Sequence, residues 1–207
     1  AIEVDSRLVA ILRVQFSDAH NVELIEHDVL TARVSQFDKV VSTPPYSISS
    51  LLLFWLLDKP FKVAVMTLQE EFAKRVTARV GSKDYGRLTV TTYRRADAEL
   101  LDHVSRDCFY PPPDVDSIIV RLTPKPAPFR VKDEATFSAV LQAVFTQPNR
   151  KLRNAVMPFL LKRGMTKERA QVIADSLTFH DKRVRELAPE DFGALANEIT
   201  EKNRLLR

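Results

Sequence analysis

The chain has 207 residues, 45% of them hydrophobic, with 31 Lys and Arg against 27 Asp and Glu for a formal net charge of +4. That content can bury a core, and no apolar run reaches the roughly 20 residues of a membrane span, so a membrane protein is excluded. One cysteine, Cys108, excludes an internal disulfide framework and fits a reducing, cytoplasmic compartment, while His20, His27, His103 and His180 lack metal-ligand spacing, so no metal is assigned.

The first residues, AIEVD, read as a strand start with Glu3 at its end, where a carboxylate can take both hydroxyls of a nucleoside ribose. Asp28, just past a strand signal at 22–25, can accept a hydrogen bond from an adenine amine, with Val4 and Val29 on either side of the ring. The residues by themselves favour a plainer alternative for Glu3 and Asp28, a solvated strand end or a helix N-cap. Residues 37–41, FDKVV, read as a buried strand, and Pro44 and Pro45 stop it with a stiff turn at the carboxyl edge of the sheet, where open α/β sheets bind ligands. Prolines have no N–H, so this turn leaves carbonyls free to accept from an amino group, and Tyr46 offers a flat face for a base. A flipped-out nucleobase with an exocyclic amine suits that combination. The competing reading is that Pro-Pro-Tyr only closes a βα turn and Tyr46 caps the core.

Further along, 68–75 (LQEEFAKR) reads as a helix with Glu71 and Arg75 spaced for an i, i+4 pair. Strand signals at 22–25, 39–41, 63–68, 88–93 and 118–122, with helical stretches between the first four, predict a largely parallel sheet. Phe109, before Tyr110 and three prolines, is either a second ring for a base or a core plug. Residues 123–131 form a proline-punctuated linker. Beyond it, Phe137, Val140, Leu141, Val144 and Phe145 predict one helix, and Ala170, Ile173, Ala174 and Leu177 behind the N-cap Thr166 a second. A third opens at Pro189, with Glu190 and Asp191 in its first turn. The expected organisation is an α/β unit over 1–122, the linker, and a small helical unit over 132–207. Charge divides unevenly between them: residues 123–207 carry +6 and residues 1–122 carry −2. A positive face attracts a phosphate backbone, and Arg150, Lys151 and Arg153 form the densest cluster; the alternative is an ordinary solvated helical surface.

Residues 1–5, 42–49 (STPPYSIS), 85–88 (YGRL), 108–117 (CFYPPPDVDS) and 145–154 (FTQPNRKLRN) stand in the order found in the KsgA-type ribosomal RNA small-subunit adenine N6,N6-dimethyltransferases, and the chain resembles that family over nearly its whole length. The resemblance implies a Rossmann-like sheet with a C-terminal helical domain and S-adenosylmethionine (SAM) as cofactor. It implies dimethylation of N6 of adjacent adenines in a small-subunit rRNA hairpin, coupled to ribosome assembly, by a monomer acting on the pre-ribosomal small subunit. It places Glu3 on the SAM ribose and Asp28 on its adenine amine, with Val4, Val29 and Thr43 beside the cofactor. Around the target it places Thr43, Pro44, Tyr46 and Phe109, with Arg150, Lys151 and Arg153 on RNA.

Two departures accompany it. The glycines are Gly81, Gly86, Gly164 and Gly193, none near the start, so the family's first strand, glycine loop and following helix are expected to be missing. Thr43 stands where the family usually carries Asn, and its shorter, β-branched hydroxyl lacks the reach of an amide oxygen. These departures support a rival reading, a non-catalytic rRNA-binding assembly factor. Adenine methylases of 23S rRNA and DNA share similar Pro-Pro-Tyr segments; the basic tail favours the small-subunit branch.

Overall fold

The computed structural model describes residues 1–34 and 36–205. In chain order it forms β1 (Ile2–Glu3), α1 (Ser6–Gln15), β2 (Ile25–Glu26), β3 (Lys39–Ser42), α2 (Ser49–Leu57), β4 (Val63–Gln69), α3 (Glu70–Val76), α4 (Arg87–Arg95), β5 (Ala96–Val104) and β6 (Ser117–Pro124). Five helices follow: α5 (Glu134–Val144), α6 (Leu152–Ala155), α7 (Met157–Lys162), α8 (Lys167–Asp175) and α9 (Pro189–Leu205). No helix among the described residues is long and apolar enough to cross a membrane.

Local chemistry explains several boundaries. Asp5 caps α1 by accepting from the Arg7 N–H, and the Arg7 guanidinium pairs with the same carboxyl, which is thereby held down at about 2. The folded value is depressed, so the cap's contribution is complete above the ordinary value of 3.8 and is lost as pH falls toward about 2. Asp133 caps α5 through the N–H groups of Ala135 and Thr136, and Thr166 caps α8 through Arg169 N–H, at the position expected from the sequence. The third expected helix does open at Pro189.

The strands fall into two groups. β1 and β2 pair in parallel, Ile2 opposite Ile25 and Glu3 opposite Glu26. The other four form one sheet in the order β3-β4-β6-β5. Here the expectation of a largely parallel sheet is corrected: only β3 and β4 run parallel, and β6 runs antiparallel to both β4 and β5. The reason is that β5 and β6 follow one another through the loop 105–116 with no crossover helix, so they must reverse. β5 was not foreseen because it is an exposed edge strand rich in charge, held by cross-strand pairs of Glu99 with Arg121 and of Asp97 with Lys125.

The strand expected over 88–93 is also wrong, because those residues lie in α4. Their threonines, valine and tyrosine favour strand locally, but burial on two sides decides. Leu88 enters the core beneath the sheet, while Val90 enters the core of the C-terminal helices. At the helix start the Thr89 hydroxyl accepts from Gly86 N–H at 3.2 Å and donates to the Arg75 carbonyl at 2.7 Å. On α3 the i, i+4 ion pair is Glu70 with Lys74, at 2.5 Å, one residue earlier than the expected Glu71 and Arg75.

One core joins α2, β4, β6 and α3 around Leu53, Met66, Leu68 and Leu122; the other joins α5 to α9 around Leu141, Leu160, Phe192 and Leu195. Tyr85 belongs to the second core although it precedes the sheet's last strands, and its phenol donates to the Leu187 carbonyl at 2.8 Å. Residues 123 and 124 of the expected linker extend β6, pairing with Asp97 and Ala96. Phe129 packs edge-on against Phe137 and lies against Gly193 of α9, where an added Cβ would meet the ring at 2.4 Å. Gly193→Ala would gain about 1 kcal/mol of helix propensity but suffer an overpacking cost of about 1–3 kcal/mol, at the upper end for so close an approach. The expected result is a net loss of about 1–2 kcal/mol, read as a lower urea midpoint at unchanged m-value.

Candidate active site

The end of β3 and the facing ends of β1 and β2 enclose a cavity of about 470 Å³, within the range of small-molecule sites. Glu3, Val4, Asp28, Val29 and Thr43 all line it, together with Pro44 and Pro45. Residues from three separate stretches of the sequence, 3–4, 28–29 and 43–45, thus share one space. Glu3 Oε1 accepts from the N–H groups of Val4 and Asp5, at 2.8 and 2.9 Å, which turns its carboxylate at the end of β1. Asp28 Oδ1 accepts from Leu30 N–H at 2.9 Å, an Asx-type turn that fixes the aspartate just after β2. Phe37 and Trp55, stacked with centroids 6.0 Å apart and planes within 7°, form part of the apolar wall with Leu52 and Leu56. These two aromatics were missed as lining residues; Trp55 is the only tryptophan in the chain, and its place in an apolar helix gave no sign that it faces a cavity.

At the edge of the cavity β3 stops at Ser42 and Pro44 is buried. The two proline carbonyls are not equivalent. The Pro45 carbonyl accepts from Ile48 N–H at 3.1 Å and from the Ser49 hydroxyl at 3.4 Å, whereas the Pro44 carbonyl accepts no hydrogen bond among the described residues. Thr43 is exposed, its hydroxyl 3.5 Å from that of Thr67 on β4.

Tyr46 and Phe109 do not line this cavity. Tyr46 opens the 3-10 turn Tyr46–Ile48, and its hydroxyl lies 2.8 Å from the hydroxyl of Ser117 at the start of β6. Phe109 is half-buried in the loop 105–116, which runs directly into Ser117, while its neighbour Tyr110 is fully exposed. Beside that loop Glu70, His103 and Asp116 bring ligand-type atoms within 4.8 Å of one another, a grouping the spacing of the histidines did not suggest. Both carboxylates there are engaged, Asp116 with His103 at 3.2 Å and with Arg106 N–H at 2.9 Å, and Glu70 with Lys74. The Arg106 N–H first, and then the nearby His103, hold the Asp116 carboxyl below the usual carboxylate range.

The ribosomal RNA adenine dimethylase description matches residues 1–201. The chain belongs to that family. It is 44% identical over 199 residues to a probable ribosomal RNA small subunit methyltransferase A of Methanosarcina acetivorans, covering 95% of this chain and 73% of that protein. A protein of the same name from Methanopyrus kandleri is 40% identical over 203 residues, covering 96% of this chain and 73% of the relative. Among solved structures, a dimethyladenosine transferase from Plasmodium falciparum superposes with a TM-score of 0.75 at 26% identity, covering 98% of this chain and 81% of that one. The 23S rRNA methyltransferase ErmE gives a TM-score of 0.60 at 29% identity, covering 96% and 80%. The Rossmann-like methyltransferase fold with its central sheet and flanking helices is shared with both.

In this dimethylase-family chain the basic cluster of the C-terminal helices is less free than its sequence suggests. Asp181 pairs with Lys151 at 2.8 Å and with Arg153 at 3.4 Å, and lies 3.3 Å from His180. The hydrogen bond from Lys151 first, and then the charges of Lys151, Arg153 and His180, hold the Asp181 carboxyl below its ordinary value, so it is ionised at neutral pH. Arg150 is exposed, without an ion-pair partner among the described residues. Such surface pairs are weak and exchange readily for phosphate. Asp181→Asn is expected to tighten binding of a small-subunit rRNA fragment and to steepen the dependence of log K on log salt by about 1. Fluorescence anisotropy over a salt series measures this, and an unchanged slope would make the cluster ordinary solvated surface.

Proposed function

We propose that this protein transfers methyl groups from SAM to N6 of adjacent adenines in a small-subunit rRNA hairpin, as a cytoplasmic monomer acting on the pre-ribosomal subunit. The observation that carries the reading is Pro44, a buried residue that lines the same cavity as Glu3 and Asp28 and whose carbonyl accepts no hydrogen bond among the described residues. The donor set of that cavity fits a nucleoside cofactor: a carboxylate at each of two strand ends, valines between them and an apolar wall. On this reading Glu3 holds the ribose hydroxyls, Asp28 accepts from the adenine amine, and Val4 and Val29 enclose the ring. When bound, SAM supplies an electrophilic methyl group on its sulfonium.

The chain's own contribution is positioning. The Pro44 carbonyl accepts from the target N6–H and faces the positive charge that grows on the nitrogen as it bonds to carbon, and the nitrogen then gives up its proton to solvent water. Tyr46 and Phe109 hold the flipped adenine between their rings, and no group of unusual pKa is required. Residues 1–122 act as the methyl-transfer unit, 123–131 as the connection, and 132–207 as the RNA-facing unit, with Arg150, Lys151 and Arg153 on the phosphate backbone.

Thr43 favours a second reading, a non-catalytic rRNA-binding assembly factor. A tritiated-methyl transfer assay on under-methylated small subunits separates the two. Thr43→Asn is expected to raise turnover on the order of tenfold or more, the worth of one hydrogen bond to a charged donor, with RNA affinity nearly unchanged. Tyr46→Ala and Phe109→Ala are each expected to lose about 1–3 kcal/mol of stacking and with it most turnover. No methyl transfer by the parent or by Thr43→Asn, with subunit binding intact, would establish the non-catalytic reading instead.

A further inference from the structure

We propose that the dipeptide Asp116-Ser117, at the head of β6, is a positioning device for the methyl-acceptor site, Ser117 aiming the ring of Tyr46 and Asp116 fixing the loop that carries Phe109. This rests on the assignment of those two rings as the partners of the target base.

β6 is an inner strand, and Ser117 is paired on one side with Gln69 of β4 and on the other with Val104 of β5. Ser117 has no exposed surface. A hydroxyl so deeply buried carries a desolvation cost unless it is hydrogen-bonded, and its partner is the Tyr46 hydroxyl, at 2.8 Å, the usual length of an O–H···O bond. The two residues are 71 positions apart, so the bond is tertiary. Its effect on the ring follows from the shape of tyrosine. The phenol oxygen lies on the axis about which the ring plane turns, so anchoring it fixes the direction of the ring axis and leaves the plane free to settle against a stacked base. Nothing in that geometry requires the hydroxyl to touch substrate.

Asp116 works on the other ring. Its carbonyl accepts from Glu70 N–H at 3.0 Å, which ties the head of β6 to the end of β4. Its Oδ1 accepts from Arg106 N–H at 2.9 Å, and the Arg106 carbonyl in turn accepts from Phe109 N–H at 3.2 Å. Two hydrogen bonds in series therefore lead from Asp116 to the backbone of Phe109. Ser105 closes the same turn, accepting from Asp107 N–H through its side chain and from Cys108 N–H through its carbonyl. Two rings that come from distant parts of the sequence are thus both referenced to consecutive residues on one rigid strand. Precise placement of this kind acts on turnover more than on RNA affinity, because most of the affinity comes from phosphate contacts elsewhere.

The test is steady-state methylation of small-subunit RNA by Ser117→Ala, Tyr46→Phe and their double variant, and by Asp116→Ala and Asp116→Asn. Ser117→Ala and Tyr46→Phe should each lower kcat about three- to tenfold with KM for RNA unchanged, and the double variant should be no worse than either single one. Asp116→Asn keeps an oxygen for Arg106 N–H, so it should restore most of the kcat lost in Asp116→Ala. Parental kcat in Tyr46→Phe, a variant that disturbs no packing, would overturn the Ser117 half even if Ser117→Ala fails to fold. Fully additive losses would do the same. Equal kcat for Asp116→Ala and the parent, or no rescue by Asn, would overturn the Asp116 half. Full activity in Tyr46→Ala would instead remove the assignment of the ring itself, an outcome separate from these.

Discussion

Pro44 is buried and has no N–H to give to a neighbouring strand, so β3 must end at Ser42 and the backbone must turn beside the cavity. The turn sorts two carbonyls that look alike in sequence. Pro45 closes the 3-10 turn by accepting from Ile48 and Ser49, while the Pro44 oxygen accepts no hydrogen bond among the described residues. A backbone acceptor left without a partner is useful in a site that must bind an amine. The placement of Tyr46 follows from the same turn, because the chain leaves Pro45 directly into the residue whose phenol reaches Ser117. The rim of the cavity, the Pro44 carbonyl and the position of Tyr46 are therefore consequences of where one strand is made to stop.

The sheet half and the helical half are held in register by polar groups set into apolar surroundings. Arg94 of α4 is buried and makes a two-pronged pair with Glu134 at the start of α5, at 2.8 and 2.5 Å, while its guanidinium lies against the rings of Phe129 and Phe137. Its Nε has no partner among the described residues, which marks the pair as a device of orientation more than of stability, since a buried ion pair returns little net free energy. Tyr85 does the same from the other direction, burying its ring in the helical core and bonding Leu187; burial pushes its phenol far above the ordinary range. The YGRL segment that helped mark the family is thus accounted for by packing across the two cores.

Much of this was legible in the sequence because it is encoded locally. The periodic residues 137–145, the Thr166 cap and the Pro189 start specify their helices within a few residues of chain, and the strand that ends at Pro44 is announced by the prolines themselves. What escaped is set at long range. Residues 88–93 carry strand-favouring side chains and become helix only because Leu88 and Val90 find different cores. β5 lacks an apolar signature because one neighbour and cross-strand charges suffice to hold an edge. Within the candidate site, the residues alone favour a plain strand end or cap for Glu3 and Asp28, and Thr43 is named only through the family resemblance; nothing local marks Phe37 and Trp55 as lining a cavity. The partner of Ser117, Tyr46, lies 71 positions away, a pairing that no local pattern encodes. The pairing of Asp181 with Lys151 and Arg153 is likewise invisible in a count of charges.

On the proposed reading, the turn at Pro44 and Pro45 offers the Pro44 carbonyl to a target amine beside the cavity that Glu3 and Asp28 line. The most direct measurement is a crystal structure with a bisubstrate compound in which the cofactor nucleoside is tethered to N6 of adenosine. The account predicts the cofactor ribose on Glu3, its adenine amine at Asp28, and the tethered adenine against Tyr46 with N6 within hydrogen-bond distance of the Pro44 oxygen. Density for the nucleoside outside the cavity between β1, β2 and β3, or a tethered adenine whose nitrogen is turned away from Pro44, would contradict it.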